Sequence, residues 1–386
     1  MAEEDVRDSA LSKPVGSEVV EEPQEKGIEL MTAQQLMWLR FKRSRPAVYS
    51  LIFLAFLYLC ALFAGFLAPY GVRQTHEKYP AAGPHGMQIR DANGKFHWPP
   101  FVYELDRKVD PQTFRSIYTP NKEIVHPVKF FAKGEPYTIL GIIHLDVHLF
   151  QVDEPGKVFL LGTDRNGRDL FSRILFGSQI SLTVGLVGVL ISLTIGSLTG
   201  TMSGFYGGTV DIMVQRVIEV LLSFPQIPLW LALAAAVPAN WSSIKVYFGI
   251  SVVLSIVNWA GLARQVRAKA LAVREMDFVT AARLSGSSDF RIITRHVFPS
   301  ILSHVLVVAT LSIPSMILGE TALSFLGLGI RPPMTSWGVL LSEAQFTRVL
   351  VQQPWLITPV AFVMATVIAF NFVGDGLRDA ADPFAA

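Results

Sequence analysis

The chain has 386 residues, of which 51% are apolar and 17% are charged, and its formal net charge is +2. Soluble domains carry roughly 25% charged residues, so this composition favours a membrane protein over a soluble enzyme and excludes an intrinsically disordered chain. The small net charge gives no indication of a nucleic-acid partner. The single cysteine, Cys60, excludes an internal disulfide and a thiolate metal cage.

The N-terminal segment, residues 1–46, is predicted to be an acidic cytoplasmic tail followed by an interfacial helix. Residues 1–29 carry nine acidic and three basic side chains, a composition typical of a disordered tail. Between residues 32 and 45, apolar and basic side chains mix as in a short helix that lies on a membrane surface. The basic cluster before Ala47 and the long apolar stretch after it predict an uncleaved anchor with a cytoplasmic N-terminus.

Six long apolar stretches predict membrane-spanning helices, because a segment in lipid must satisfy its backbone hydrogen bonds internally. The strict alternation typical of β-barrels is missing from all six. The predicted fold class is therefore an all-α polytopic membrane protein in contact with the lipid bilayer. The stretches are 47–68, 177–210 with a glycine-rich turn at Gly204, Gly207 and Gly208, 220–237, 246–263, a segment within 297–330, and 349–374.

The distribution of basic residues predicts which segments face the cytoplasm. Loop 264–295 holds seven basic and three acidic residues, which places it inside by the positive-inside rule. Counting spans then places both termini inside and the segment 69–176 outside, where we expect a small, partly β subdomain or a long ordered excursion. The predicted organisation is a first helix at 47–68, an extracytoplasmic segment at 69–176, a five-helix core at 177–376 and a cytoplasmic tail at 377–386.

Catalytic motifs are scarce. The sequence contains no GxxxxGK[S/T] phosphate loop, no HExxH and no GxSxG, so ATP binding through a P-loop is not expected. His144, Asp146 and His148 alternate along the chain and would share one face of a strand, as metal ligands do. We favour a half-buried strand or loop with polar residues on its wet side, because no fourth ligand is identified.

Several polar residues lie in or beside the predicted spans. Glu320 is costly in lipid, so it is expected to face the bundle interior or a water-filled path, or else to make a local hydrogen bond near the outer interface. Arg216 and Glu219 share one helical face and are expected to form an ion pair. Asn258 and Asn371 are expected to form interhelical hydrogen bonds, in preference to contacting cargo.

The inside loop is the most informative stretch, since residues 275–299 predict two short helices joined by a turn. Good helix formers precede Gly286, which suits the left-handed conformation that ends a helix. Ser288 or Asp289 is predicted to cap a second helix that ends near Pro299. A compact helical pair in a basic cytoplasmic loop indicates a docking element and not a catalytic one.

This loop resembles the EAA loop of ABC-importer inner-membrane permeases. The motif here is Thr280-Ala281-Ala282, three residues, Gly286, nine residues, then His296-Val297-Phe298-Pro299. Two departures are that Thr280 replaces the family glutamate, and that His296 and Phe298 replace the family isoleucine and leucine. Further stretches resemble the dipeptide/oligopeptide type of permease: Gly162, Thr163, Asp164, Gly167, Arg168 and Asp169 before the second span, then 320–329, 332–333, 336–338 and 374–383.

The resemblance implies a type I ABC-importer permease subunit in the bacterial cytoplasmic (inner) membrane, which is not itself an enzyme and holds no cofactor. It implies three kinds of partner: a second homologous permease, two ATPase subunits that bind ATP and Mg, and an extracytoplasmic substrate-binding protein. Within a coupling loop at 264–300, it assigns contact with the ATPase to Thr280, Ala281, Ala282, Arg283, Gly286, Asp289 and Pro299. Candidates for the translocation pathway are Glu320, Asn258 and Asn371.

An ion-coupled secondary transporter is the alternative, since it would also be polytopic. It would show inverted repeats and discontinuous helices, and the sequence has no pseudo-symmetric halves. A membrane enzyme would need a catalytic cluster, for which only His144, Asp146 and His148 are available. Within the family resemblance, peptides are the favoured cargo, and oligosaccharides, opines and nickel chelates stay open.

Overall fold

Long apolar helices make up most of the fold. The structure is a computed structural model and describes residues 33–91, 94–112, 116–139 and 141–381. Within these residues, five helices have the length and composition to cross a membrane, and one bent helix pair supplies a sixth crossing if it is counted as one span. Counted in this way, the structure has the predicted polytopic helical architecture with six crossings.

The first helices join the interfacial segment to the first span. They are α1 (Ala33–Arg43), α2 (Arg45–Leu62) and the single turn α3 (Ala64–Leu67). Pro46 lies in the first turn of α2, where a missing N–H costs no intrahelical hydrogen bond. Phe41 of α1 is buried against Gly376 of the last helix, so α1 packs on the bundle. The acidic tail predicted for residues 1–29 lies outside the described residues.

A β-sheet insertion separates α3 from the second span. Of the two alternatives for this segment, a partly β subdomain and a long ordered excursion, the structure has the partly β subdomain. Its four antiparallel strands lie side by side in chain order. They are β1 (Gln88–Arg90), β2 (Phe96–Val109), β3 (Ser116–Ile139) and β4 (Ile143–Val152). Tyr70, Val102 and Phe159 belong to its small buried core. The Tyr70 N–H donates to the Ser172 hydroxyl (3.3 Å), which ties this core to the next helix.

Two long helices, α4 (Leu170–Tyr206) and α7 (Ser243–Arg274), pack along each other through small residues. Gly196, Gly200 and Gly204 recur every fourth position on one face of α4. A Cβ at Gly200 would lie 2.5 Å from the Ala263 carbonyl oxygen, so only glycine permits this backbone approach. The predicted turn at Gly204 is wrong for that residue, which lies inside α4; the chain turns at Gly207 and Gly208, both at positive φ. The helix also begins at Leu170 and not at the predicted residue 177.

The third crossing, predicted as one helix at 220–237, is instead a bent pair of helices. α5 (Gly208–Ser223) and α6 (Gln226–Ala235) meet at an angle of 89°. Pro225 lies between them and has no N–H with which to continue α5. On α5, Arg216 donates to Glu219 (2.9 Å) in the predicted ion pair, and both side chains are exposed.

The remaining elements complete the bundle. They are α8 (Asp277–Leu284), α9 (Asp289–Ile292), a π-helical turn (Ile293–Val297), α10 (Phe298–Phe325), α11 (Trp337–Glu343), α12 (Thr347–Gln352), a 3₁₀ turn (Pro354–Ile357) and α13 (Pro359–Ala381). The prediction that Pro299 ends the second helix of the coupling loop is wrong. Pro299 occupies the first turn of α10, where proline is tolerated. The tail predicted to begin at residue 377 is helical to Ala381, and residues 382–386 lie outside the described part of the chain.

Candidate functional site

The part of the inside loop that is predicted to form two short helices, residues 275–299, is called the coupling segment after its predicted role, and one of its faces packs on the bundle. Val279 of α8, Ile292 of α9 and Val297 of the π-helical turn are fully buried. They share an apolar cluster with side chains from the ends of α4, α7 and α10, such as Phe205 and Ile301. A displacement of this segment therefore acts directly on three long helices.

The turn between α8 and α9 has the predicted glycine geometry. Gly286 has a φ of 77°. The Ser287 N–H donates to the Ala282 carbonyl (3.1 Å) and the Gly286 N–H donates to the Arg283 carbonyl (2.9 Å), the pair of bonds that closes a Schellman motif. The predicted side-chain cap is wrong, since Ser288 is the N-cap but its hydroxyl makes no capping hydrogen bond and Asp289 is the exposed first residue of α9.

The opposite face of the coupling segment presents apolar side chains to its surroundings. Leu284 is 85% exposed and Phe290 is 76% exposed, an unusual state for large apolar residues on an ordered segment. Of the motif residues, Thr280, Ala281 and Pro299 are also exposed. Ala282 is half-buried and packs on the cluster beneath. The exposed apolar side chains make this face suitable for docking another protein.

Charged side chains anchor the base of the coupling segment. The Arg267 guanidinium of α7 donates two hydrogen bonds to the Asp211 carboxylate of α5. Arg274 donates to the Phe205 carbonyl at the end of α4 (3.3 Å), and the Arg283 guanidinium lies 5.2 Å from the centre of the Phe205 ring. These pairs could not be predicted from the sequence, because each joins positions that are more than fifty residues apart.

The motif before the second span forms a tight polar turn that caps α4. Gly162 and Gly167 have φ values of 79° and 73°, which favour glycine. The Thr163 hydroxyl donates to the Tyr79 carbonyl (2.6 Å) and accepts from the Ala82 N–H (2.8 Å), so it fastens the motif to the sheet insertion. These bonds give the threonine and glycine positions a structural role.

Asp169 is the N-cap of α4. Its carboxylate accepts from the N–H (2.7 Å) and the hydroxyl (2.6 Å) of Ser172, which satisfies donors at the start of the helix. Burial raises the pKa of this carboxyl to about 7, although the bonds from Ser172 act in the opposite direction.

A buried ion cluster stands beside this cap. Arg173 of α4 has a side chain that is only 3% exposed. It donates to Asp164 (2.6 Å) and, through both terminal nitrogens, to Glu343 of α11 (2.8 Å each). Arg168 donates to the same two carboxylates, so two cations face two anions. Sequence reasoning missed Glu343, which lies 170 positions from Arg173.

Glu320 is fully buried inside the bundle on α10. Its carboxylate accepts from the Ser324 hydroxyl (2.7 Å) on the same helix and from the Ser181 hydroxyl (3.0 Å) on α4. The Ser181 oxygen also accepts from the backbone N–H of Trp337 in α11 (3.1 Å). Glu320 therefore faces the bundle interior, which was one of the two predicted locations. The hydrogen bonds of Glu320 and Ser181 join α10, α4 and α11.

The two asparagine candidates differ in setting. Asn258 of α7 accepts from the Gln226 amide of α6 (3.2 Å) and contacts the Met316 sulfur of α10 (3.1 Å), so it bridges helices as expected. Together with Gln226 it lines a cavity of about 400 Å³. Asn371 is exposed on α13.

The three alternating polar residues of β4 have separate partners. The ring nitrogens of His148 lie against the Ala68 carbonyl (2.6 Å) and the Glu135 carbonyl (2.9 Å), whereas His144 contacts Thr138 and Asp146 pairs with Lys133. Among the described residues, no group of three or more acidic, histidine or cysteine side chains is arranged to hold a metal ion. His144 lies on the wet side of the strand, as the favoured interpretation had it, but His148 is buried, so the prediction that all three polar residues face water is wrong for His148.

Comparison with known proteins decides the family. Residues 169–385 match the family model described as the binding-protein-dependent transport system inner membrane component. The chain belongs to this family. As a transport component it is not itself an enzyme. Residues 32–84 of this permease match a second model, the N-terminal transmembrane domain of oligopeptide transport permease C.

Several curated permeases are similar over the same part of the chain. The oligopeptide transport system permease protein OppC of Haemophilus influenzae is 43% identical over 223 residues, which are 58% of this permease and 69% of that protein. The glutathione transport system permease protein GsiD of Pectobacterium atrosepticum is 38% identical over 229 residues, 59% of this permease and 74% of that protein. The dipeptide transport system permease protein DppC of Bacillus subtilis is 38% identical over 230 residues, 59% of this permease and 70% of that protein.

These matches confirm the resemblance to ABC-importer permeases of the dipeptide/oligopeptide type and an inner-membrane location. A solved structure of the MetNI methionine ABC transporter in inward-facing conformations aligns with a TM-score of 0.43 and 16% identity, over 54% of this permease and 96% of that chain. The sheet strands β1 to β4 lie between the two matched segments and outside both.

Proposed function

We propose that this permease forms half of the translocation pathway of an ATP-driven importer for peptides or similar small solutes. Its partners would be a second homologous permease, two ATPase subunits that bind ATP and Mg, and an extracytoplasmic substrate-binding protein. The proposal of peptide cargo is supported by the oligopeptide, dipeptide and glutathione systems in which the similar permeases work.

The observation that carries the proposal is the two-faced coupling segment. Leu284 and Phe290 offer an exposed apolar surface to a partner, while Val279 and Ile292 are locked into the bundle. An ATPase subunit that grips the exposed face would transmit its movement to α4, α7 and α10 through the buried face. The motif residues Thr280, Ala281, Ala282, Arg283, Gly286, Asp289 and Pro299 would form or shape this contact.

The orientation follows from the same assignment. The coupling segment, α1 and both termini would be cytoplasmic, and the sheet insertion would be extracytoplasmic, where a binding protein arrives. Single cysteines at Lys122 and at Ser287, in a Cys60→Ser background, are expected to react with an impermeant thiol reagent from opposite sides of the membrane. Labelling of both positions from one side would overturn the orientation.

The pathway itself would run beside α6 and α7. Asn258 and Gln226 offer amide groups to a cavity there, which suits the peptide bonds of a cargo. Glu320 would support the pathway from inside the bundle, since it is buried and bonded within this chain, and Asn371 is available to a partner on the exposed face of α13.

The test uses the complex reconstituted in liposomes with its ATPase subunits. We expect Leu284→Glu and Phe290→Glu to abolish cargo uptake and co-purification of the ATPase, because a carboxylate would be desolvated in the contact. Phe96→Glu, an exposed phenylalanine of β2, is the matched control and is expected to keep the ATPase bound. Uptake by the permease alone under an ion gradient would favour a secondary transporter instead.

A further inference from the structure

The turn between β3 and β4 is apolar at a place where hairpins are normally polar. Residues 136–145 contain no aspartate, glutamate, lysine or arginine. Ile142 is 78% exposed and the neighbouring Ile143 is 54% exposed. Turns at the tip of a water-facing hairpin favour glycine, proline, asparagine and aspartate. Two adjacent exposed isoleucines at the tip therefore indicate that this tip does not face bulk water.

The tip reaches the level of the membrane spans. The Tyr137 ring packs so closely on Gly65, next to the end of α2, that a Cβ there would collide with it. Beyond this contact, Thr138 and Gly141 line a cavity of about 850 Å³ together with Tyr58 of α2 and side chains of α4 and α7. The hairpin thus extends past the end of the first span and lies alongside the helices.

The surface around the tip is continuous with the exposed apolar surface of the spans. Leu59 of α2 and Ile244 and Phe248 of α7 line the same cavity, and all three are exposed. Exposed apolar side chains on a membrane-spanning helix meet either lipid or another membrane protein. The matching apolar character of Ile142 and Ile143 extends that surface onto the hairpin.

Aromatic residues accompany the hairpin where it leaves the bundle. Phe131 of β3 lies 6.1 Å, centre to centre, from Phe66 of α3. On the neighbouring strand, Trp98 stacks on Phe130 at 6.2 Å and is 72% exposed. Aromatic side chains at this position relative to the spans are typical of the boundary between water and lipid.

We propose that the β3–β4 tip is a lipid-binding element that lies in the interface of the bilayer, with acyl chains filling the cavity between the tip and the helices. Among the described residues, β3 from 128 to 139 has ladder partners on β4 alone, so the other edge of each strand forms no strand pairing near the tip. Unpaired backbone groups are expensive in hydrocarbon, which limits the tip to the interface and excludes a deep insertion.

The test measures the surroundings of the tip in the whole importer complex in nanodiscs. Cysteines at Ile142 and, separately, at Ile143 are labelled with an environment-sensitive fluorophore in a Cys60→Ser background. Ile117→Cys, on the same strand β3 but near its opposite end, is the matched control because its isoleucine is also exposed. Quenching is compared between aqueous iodide and nitroxides attached to lipid acyl chains near the headgroup.

We expect both tip positions to be quenched by the lipid nitroxides and protected from iodide, and the control position to show the reverse. Quenching of the tip by iodide to the same extent as the control would overturn the proposal. Protection from both quenchers would also overturn it, because a protein partner would then cover the tip. The measurement needs no transport, so its outcome is independent of the proposed coupling to ATP.

Discussion

The turn at Gly286 offers the sharpest test of the coupling segment. Apart from its two chain neighbours, no atom of the described residues lies within 4 Å of the position that a Cβ would occupy at Gly286, so a side chain there meets open space. Its cost comes from the backbone alone, since a φ of 77° is left-handed and costs a non-glycine residue roughly 1–2 kcal/mol, more for a β-branched one. A shift of that size changes the population of the native turn by a factor of about 5 to 30.

Gly286→Val is therefore expected to keep normal membrane insertion and abundance but to lower uptake and the stimulation of ATP hydrolysis by cargo. Gly286→Asn is expected to retain more activity, because asparagine tolerates the left-handed region. Gly94→Val is the matched control, since Gly94 has a similar φ of 81° and open space around it but lies in the sheet insertion. Normal uptake by Gly286→Val, or an equal loss in Gly94→Val, would refute the reasoning.

Three more outcomes test the bundle and the insertion. Glu343→Ala removes one of the two carboxylates that bind the buried Arg173 guanidinium and leaves Asp164 in place, so it is expected to cost about 1.5–3 kcal/mol, seen as a lower melting temperature in detergent, with partial recovery on adding Arg173→Met. Gly200→Leu would drive a side chain into the backbone of α7 and is expected to cost about 1–3 kcal/mol or more, whereas Gly261→Leu, which meets open space, should keep wild-type abundance. Burial lowers the pKa of His76 to about 4. The contribution of neutral His76 to the stability of the insertion is therefore complete above the unfolded-state pKa of histidine, about 6.5, and about 2 kcal/mol of it is lost by pH 5. Hydrogen exchange should show less protection at pH 5 than at pH 7, and His76→Phe should reduce that difference.

The apolar blocks predicted the spans because lipid imposes a minimum apolar length on any crossing helix. The exact start of α4 could not be predicted in this way. The span was predicted from an uncharged run, which by definition could not include Arg173. In the structure the charge of Arg173 is balanced by Glu343, and the proximity of these two residues depends on the tertiary fold. Lipid contact decides the composition of a span, whereas its ends depend on partners far away in sequence.

The glycine and proline positions also separate into those whose role is set by local conformation and those whose role is set by tertiary packing. Gly286 was predicted correctly because its conformational requirement is local. Gly204 was placed in a turn, yet it serves as a contact with α7, and the packing of one helix on another is not encoded in a single segment. Pro299 was predicted to end a helix, but a π-helical turn immediately before it lets the helical path continue into α10.

The helical path from Asp289 to Phe325, which includes the π-helical turn and Pro314, has a mechanical consequence. It comprises 37 residues, and at 1.5 Å per residue the distance from Phe290 to Glu320 is about 45 Å. If this path moves as one rigid unit and pivots near its middle by about 10°, each end is displaced by roughly 4 Å, which is less than one helical turn of about 5.4 Å. Because Glu320 is bonded to Ser181, such a displacement at the docking end would pull on α4 at the far end without passing through any flexible loop.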